Sequence, residues 1–317
     1  MSLAQRVAVR RRAVRLRRTR RVALIALAAG AVLTAEISLI SQLVSRGEAA
    51  AVVREAAPQS AATPEPIIPV PKIVQVPAAD PTCESTETGA ALTAKDPAAV
   101  FEAFGGAAAL REAILAGAAP CVPLDDPALP WVVVNKKRPL EPIDFRPAEI
   151  RVPPSSIVQG GLRAEVVDSF ERLAAAVAEE AGRIALFSGF RSHGTQVSTY
   201  NAQVGARGRQ GADALSARPG FSEHQLGLAA DVVACGPAGC GTIYQLGDTA
   251  QGRWLADNAW RFGWIVRYEH GHTETTGYDP EPWHLRYIGP ELAEVYHKGG
   301  HHTLEDFFGL PPAPDYD

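Results

Sequence analysis

Nine arginines and no acidic residue occupy positions 1–21, and fourteen uncharged residues (VALIALAAGAVLTA, 22–35) follow at once. This junction constrains the chain most, because it sets a candidate membrane segment ahead of everything that could fold as a globule. Apolar character persists to Val44, interrupted mainly by Glu36, Ser38, Ser41 and Gln42. A helix over 22–44 reaches about 34 Å, enough to cross the hydrocarbon core of a bilayer. Glu36 would then lie toward the far interface, where a charge costs less. Read alone, the arm RVAVRRRAVRLRRTRR (6–21) suits nucleic acid. Followed by this run, it predicts a cytoplasmic N-terminus, a single-pass anchor over 22–44 and an extracytoplasmic remainder. A cleaved signal peptide is the competing reading, but no clean A-x-A site directly follows the apolar run.

The net charge of −4 hides an asymmetry: without the nine arginines the remainder is near −13. An acidic body argues against nucleic acid as its partner. The four cysteines fit an exported location, where disulfides persist. Cys235 and Cys240 frame the Gly/Pro turn CGPAGC, and Cys83 and Cys121 are left to form a second pair. A metal site is the rival reading, but one CxxxxC pair lacks the usual spacing.

Residues 45–82 are rich in Ala and Pro, a linker composition. Residues 83–128 form a small helical preface, with Asp96 able to cap and Pro97 at the first helical position of a run over 96–117. The dense region is 129–317. WVVVN (131–135) reads as a buried strand, 161–182 as an amphipathic helix stopped by Gly182, and RIALFSGF (183–190) as a strand entering a turn. A helix is expected over 197–208, a helix and then a strand over 252–268, a last strand over 282–289 and a final helix over 289–300. Helices and strands without regular β-α-β alternation point to an α+β fold.

Within that region, PGFSEHQLGLAAD (219–231) sets His224 seven residues before Asp231. On one helix the pair would be about 10 Å apart. On one strand they would be over roughly 20 Å apart and on opposite faces. They can share a ligand only if the chain bends back, and Gly227 offers the place. Of eight histidines, His297, His301 and His302 suit an exposed surface. His270 and His272 sit in a loop (EHGHTETTGY), and His193 could line a pocket. His284 differs, because it closes EPWH, with Glu281 three residues earlier. A carboxylate beside a metal-ligating histidine is what metal-assisted hydrolysis needs. HExxH is absent, which excludes a thermolysin-like arrangement. A catalytic zinc takes three protein ligands and keeps an open position, and His224, Asp231 and His284 could supply that number.

SEHQLGLAAD fits the pattern SxHxxGxAxD and EPWH fits ExxH, and in both the chain resembles the VanY-type D-alanyl-D-alanine carboxypeptidases. The segments 132–150, SGFRSHGTQ (188–196) and 255–289 resemble that family in the same order, so the likeness runs over about 129–296. It implies a compact α+β zinc D,D-peptidase domain with a central antiparallel sheet, a fold shared with the Hedgehog signalling domain. It further implies His224, Asp231 and His284 as zinc ligands, Glu281 as general base, and Arg191 as the group that steadies the substrate carbonyl and its oxyanion. Ser222 would stand near the substrate, with Ser188 and Gln196 lining the pocket. Trp283 and Tyr287 read as core or pocket wall, and Trp254, Trp260 and Trp264 as core.

His193, Gly194 and the HGH loop depart from the family's usual residues, which leaves outer specificity open. The expected substrate is the peptidoglycan stem peptide, cut before its terminal D-alanine. L,D-carboxypeptidase or endopeptidase action on the same polymer is the nearest alternative. A non-catalytic wall-binding protein is a further one, and a phage-type lysin is disfavoured by the N-terminal run.

Overall fold

The computed structural model describes residues 80–158 and 160–317. The basic arm, the 22–44 segment and the linker through residue 79 lie outside the described residues. No helix among the described residues is long and apolar enough to cross a membrane.

The described part opens on Asp80, whose side chain accepts from the Thr82 amide and caps a turn over Pro81–Glu84. Three helices follow: α1 (Thr86–Ala94), α2 (Pro97–Phe104) and α3 (Ala107–Leu115). Asp96 caps α2 by accepting from the Ala99 amide, with Pro97 at the first position, as predicted. The run expected over 96–117 is two helices, because Gly105 and Gly106 both take positive φ and break it. A disulfide joins Cys83 to Cys121. A loop of that length, 38 residues, is worth about 4 kcal/mol in the chain-entropy treatment. These helices share a core with the rest of the chain: Val100, Phe101 and Leu110 pack in one cluster with Trp131, Ile265, Ile288, Leu292 and Phe307.

A short ladder, β1 (Ile150–Arg151) with β2 (Leu162–Arg163), leads into helix α4 (Val167–Glu180). Gly182 ends α4 at φ +104 and donates its amide to the Val177 carbonyl. Strand β3 (Arg183–Ser188), helix α5 (His193–Leu215), strand β4 (Ala229–Gly236), strand β5 (Gly239–Cys240), helix α6 (Ala250–Asn258), strand β6 (Trp264–Tyr268), strand β7 (Glu281–Tyr287) and helix α7 (Pro290–Lys298) complete the larger elements. The central sheet runs β3-β4-β7-β6, antiparallel throughout, with β5 paired to β4 in a hairpin closed by the Cys235–Cys240 disulfide. This is the expected α+β architecture.

Strand alternation decides which face carries chemistry. Ala230, Val232, Leu186 and Leu285 point to a core where Phe170, Leu173 and Val177 of α4 cover them. Burying each of the Val, Leu and Phe side chains among them is worth about 1.5–3 kcal/mol. Asp231, between Ala230 and Val232, therefore faces the other side, away from α4.

Several elements differ from expectation. WVVVN is buried but has no sheet neighbour among the described residues: Val132 and Val134 enter one core, Trp131 and Val133 the other. Its carbonyls are taken by side chains, Val132 O by Arg286 Nη2 (2.8 Å) and Val133 O by Arg138 Nε (3.1 Å). Helix α5 is far longer than 197–208 and is kinked at Gly208, which has φ 73. Strand β4 was not foreseen as a strand, because its small and apolar residues carry no alternation. A further turn of helix over Leu304–Phe307 follows α7.

Candidate active site

The bend required between His224 and Asp231 is made in two steps. Residues Glu223–Leu226 form one 3-10 turn, and Gly227 ends it with φ 70. A Cβ there would sit 3.0 Å from the Ile150 side chain and 3.1 Å from the Arg163 amide, in a backbone region that favours glycine. The chain then reverses into β4, and His224 Nε2 comes to 3.2 Å from Asp231 Oδ2. The other ring nitrogen, Nδ1, lies 2.8 Å from the Gly189 carbonyl, which it meets as a donor. That bond turns Nε2 toward Asp231.

Sheet register brings in the third group. Asp231 of β4 and His284 of β7 are direct partners in the antiparallel pair, so their side chains leave the same face side by side. His284 Nδ1 is 3.0 Å from Asp231 Oδ1. One ligand atom from each of His224, Asp231 and His284 lies within 4.8 Å of the others, and all three residues are buried.

Glu281 poses a parity problem, because three residues along a regular strand reverse the side chain's face. An irregularity solves it. Pairing steps from Val266↔Leu285 to Tyr268↔Glu281, so four positions of β7 oppose two of β6. Pro282, which offers no amide to the ladder, lies in that stretch. Such bulges re-aim side chains beside active sites, and Glu281 Oε2 ends 3.7 Å from His284 Nδ1.

The electrostatics follow from burial and proximity. Burial raises Glu281 to about 8, with Asp231 adding to the effect. His224 is lowered to about 4 by burial and by Arg191. Burial opposes ionisation of Asp231, but His224 and His284 overcome it and hold the carboxyl far below its usual range. His284 is raised to about 9: burial opposes, and its bonds to Asp231 and Glu223 prevail. The set thus holds a neutral imidazole and a carboxylate, the forms in which metals are bound. It also favours a proton on each ring nitrogen of His284, and an ion held there would replace the one on Nδ1. Two nitrogens and a carboxylate oxygen at this spacing fit zinc, and hard all-oxygen sites for calcium or magnesium do not look like this.

These groups line a cavity of about 150 Å³ together with Arg191, Ser222, Glu223, Tyr268, Tyr278 and Trp283. The amide of Arg191 donates to the His224 carbonyl at 3.2 Å, and its buried Nε has no partner among the described residues. Burial lowers its pKa, against the pull of Asp231 and Glu281. Tyr244 stands at the rim, 64 % exposed and edge-on to Trp283 at 5.2 Å.

Two expected pocket residues fall elsewhere. Gln196 is fully buried, and its Nε2 donates to the Ala217 carbonyl at 2.7 Å. It therefore braces Ser216 and Ala217, which line the cavity, from behind. Ser188 pairs with Asp231 in the ladder but is not part of the cavity wall. His193 opens helix α5 and does not reach the cavity either. His272 stacks on His302, whose Nδ1 meets Glu269 at 2.8 Å, and His297 stacks on Trp260.

Sequence reasoning missed Glu223, although it stands inside the motif. Its Oε2 lies 3.2 Å from His284 Nε2. It missed Tyr268 and Tyr278 as well, whose tilted rings have centroids 4.8 Å apart, with Tyr268 5.0 Å from the His284 ring. An acid beside a candidate ligand was the available signal for Glu223. The tyrosines carried none.

Comparison with known proteins agrees with this geometry. The VanY D-alanyl-D-alanine carboxypeptidase family model matches residues 159–290, the stretch that holds all four motif residues. The YodJ protein of Bacillus subtilis (strain 168) is 34% identical over 182 residues, 56% of this chain and 66% of its own length. This chain thus spans just under two thirds of that relative. The bifunctional D-Ala-D-Ala dipeptidase and D-Ala-D-Ala carboxypeptidase VanXYC of Enterococcus gallinarum is 32% identical over 51% of this chain and 85% of its own. Among solved structures, the LdcB LD-carboxypeptidase superposes with a TM-score of 0.53 at 33% identity, over 58% of this chain and 88% of that one. With the motif residues gathered on one sheet face inside the matched stretch, the chain belongs to the VanY D-alanyl-D-alanine carboxypeptidase family.

Proposed function

We propose that the chain is a zinc D-alanyl-D-alanine carboxypeptidase that removes the terminal D-alanine from peptidoglycan stem peptides. The observation that carries this reading is the convergence of His224, Asp231 and His284 within 4.8 Å, with a buried carboxyl beside them. His224 through Nε2, Asp231 and His284 through Nδ1 would hold the ion. Zinc in such a site supplies a Lewis acid for the substrate carbonyl and lowers the pKa of water. Glu281 takes a proton from the attacking water and returns it to the leaving amine, a task suited to a carboxyl tuned upward by burial. Arg191 directs its unpaired guanidinium donor at the carbonyl and at the charge that develops on its oxygen. Ser222 and the aromatic wall of Tyr278 and Trp283 bound the substrate.

L,D-carboxypeptidase action is the second reading, favoured by the likeness to LdcB. The two differ in the bond cut. With a stem pentapeptide and a stem tetrapeptide offered separately, the masses of the products should show D-alanine leaving the pentapeptide only. Loss from the tetrapeptide alone would replace the D,D reading with the L,D one.

The site is further proposed to work outside the membrane, held by the 22–44 segment behind a cytoplasmic basic arm. Support comes from the arginine run ahead of the apolar stretch and from two disulfides in the described part. Protease added to intact cells should digest residues 80–317, and full protection in intact cells would contradict this placement.

A further inference from the structure

Glu223 is nearly fully buried, and nothing in the reaction as described above uses it. Its two oxygens have separate duties. Oε1 accepts from Arg267 Nε at 2.9 Å and from Arg286 Nη1 at 2.8 Å. Oε2 faces His284 Nε2 at 3.2 Å. The arginines are themselves fixed. Arg267 grips Glu305 with two bonds of 3.0 and 2.8 Å, and Glu305 accepts from Asn135 at 2.9 Å. Arg286 donates to the carbonyls of Pro130 and Val132. A carboxylate locked this firmly presents one oxygen to one ring nitrogen, with no freedom to swing away.

Both ring nitrogens of His284 face carboxylates, Nδ1 meeting Asp231 Oδ1 at 3.0 Å and Nε2 meeting Glu223 Oε2 at 3.2 Å. Asp231 is one of the three converging donors, so an ion held by the set lies on the Nδ1 side and takes that lone pair. A ring bound in this way carries its one proton on Nε2, where Glu223 accepts it. We infer that Glu223 is a positioning residue that fixes His284 in the Nε2–H form, so that Nδ1 is the ligand atom. The clamp through Arg267 and Arg286 extends this control to the 130–135 segment and to the Leu304–Phe307 turn. It explains why two fully buried arginines stand behind a metal site that needs no positive charge of its own.

The role rests on the zinc reading and is testable apart from it. Outer carboxylates of this kind typically contribute about 10–100-fold to metal affinity. Glu223→Gln alone would leave the buried Arg286 guanidinium without a carboxylate among the described residues, which endangers folding. The double variant Glu223→Gln/Arg286→Met removes one charge of each sign and keeps the Arg267–Glu305 pair. For the full chain, the zinc Kd is measured by competition with a chromogenic chelator. The imidazole protons of the zinc-loaded wild type are measured by nitrogen-edited NMR. The expected results are a Kd about 10–100-fold higher in the double variant, and in the wild type a slowly exchanging, low-field proton on His284 Nε2. A folded double variant with unchanged Kd overturns the role. If that variant fails to fold, the wild-type spectrum decides alone, and a His284 proton on Nδ1 overturns the role. Wild-type protein that takes up no zinc overturns the metallopeptidase reading itself, a result distinct from the other two.

Discussion

Glu281→Ala is expected to keep its zinc and to lose hydrolysis by a factor of about 10²–10⁴, the usual worth of a positioned acid–base group. The separation of the two effects follows from geometry. Glu281 stands 3.7 Å from His284 Nδ1 but is not one of the three converging donors. Metal content should therefore match wild type when both are measured in the same preparation. The fold should tolerate the change, because a carboxyl raised to about 8 by burial is an unfavourable group to ionise there. Its removal should leave the thermal midpoint unchanged or higher. A variant that released D-alanine at nearly the wild-type rate would remove Glu281 from the proton's path, and the reaction would need another base.

His284→Ala should lose metal and hydrolysis together. The ring touches four functional groups: Asp231 at 3.0 Å, Glu223 at 3.2 Å, Glu281 at 3.7 Å, and the His224 ring with centroids 4.9 Å apart. Without it only two of the three donors remain, and Glu223 Oε2 loses its only partner among the described residues. Removing one member of a buried charged set costs about 3–5 kcal/mol, so a marked drop in thermal midpoint should accompany the loss of zinc. His302→Ala is the matched control. That ring is half exposed, pairs with Glu269, stacks on His272, and lies outside the donor set. Equal zinc content in wild type and His284→Ala would sink the ligand assignment.

The sequence carried the residues of the site more clearly than the means by which they meet. The resemblance to the VanY-type patterns named His224, Asp231, His284 and Glu281, while spacing alone required a bend, with Gly227 as the place for it, because neither helix nor strand lets residues seven apart share a ligand. Both disulfide pairs were readable from the cysteine positions. What stayed hidden was tertiary. The register that sets Asp231 opposite His284 depends on two strands 53 residues apart in sequence. The irregularity that turns Glu281 inward depends on pairing with β6, and no local pattern encodes it. Gln196 illustrates the converse: its motif position suggested a pocket wall, but its amide is spent on the Ala217 carbonyl behind that wall. WVVVN read as a strand because it is short and β-branched; in the fold it divides its side chains between two cores, and only a partner strand could have made it one.

One metal ion, held by His224, Asp231 and His284, is expected to be required for the release of D-alanine from a stem pentapeptide. This requirement is tested most directly by stripping the full-length chain with a chelator and titrating zinc back while following D-alanine release. Stripping should abolish release, and activity should return linearly, with its break at one zinc per chain. Full activity in the stripped protein, or no recovery on adding zinc, would contradict it.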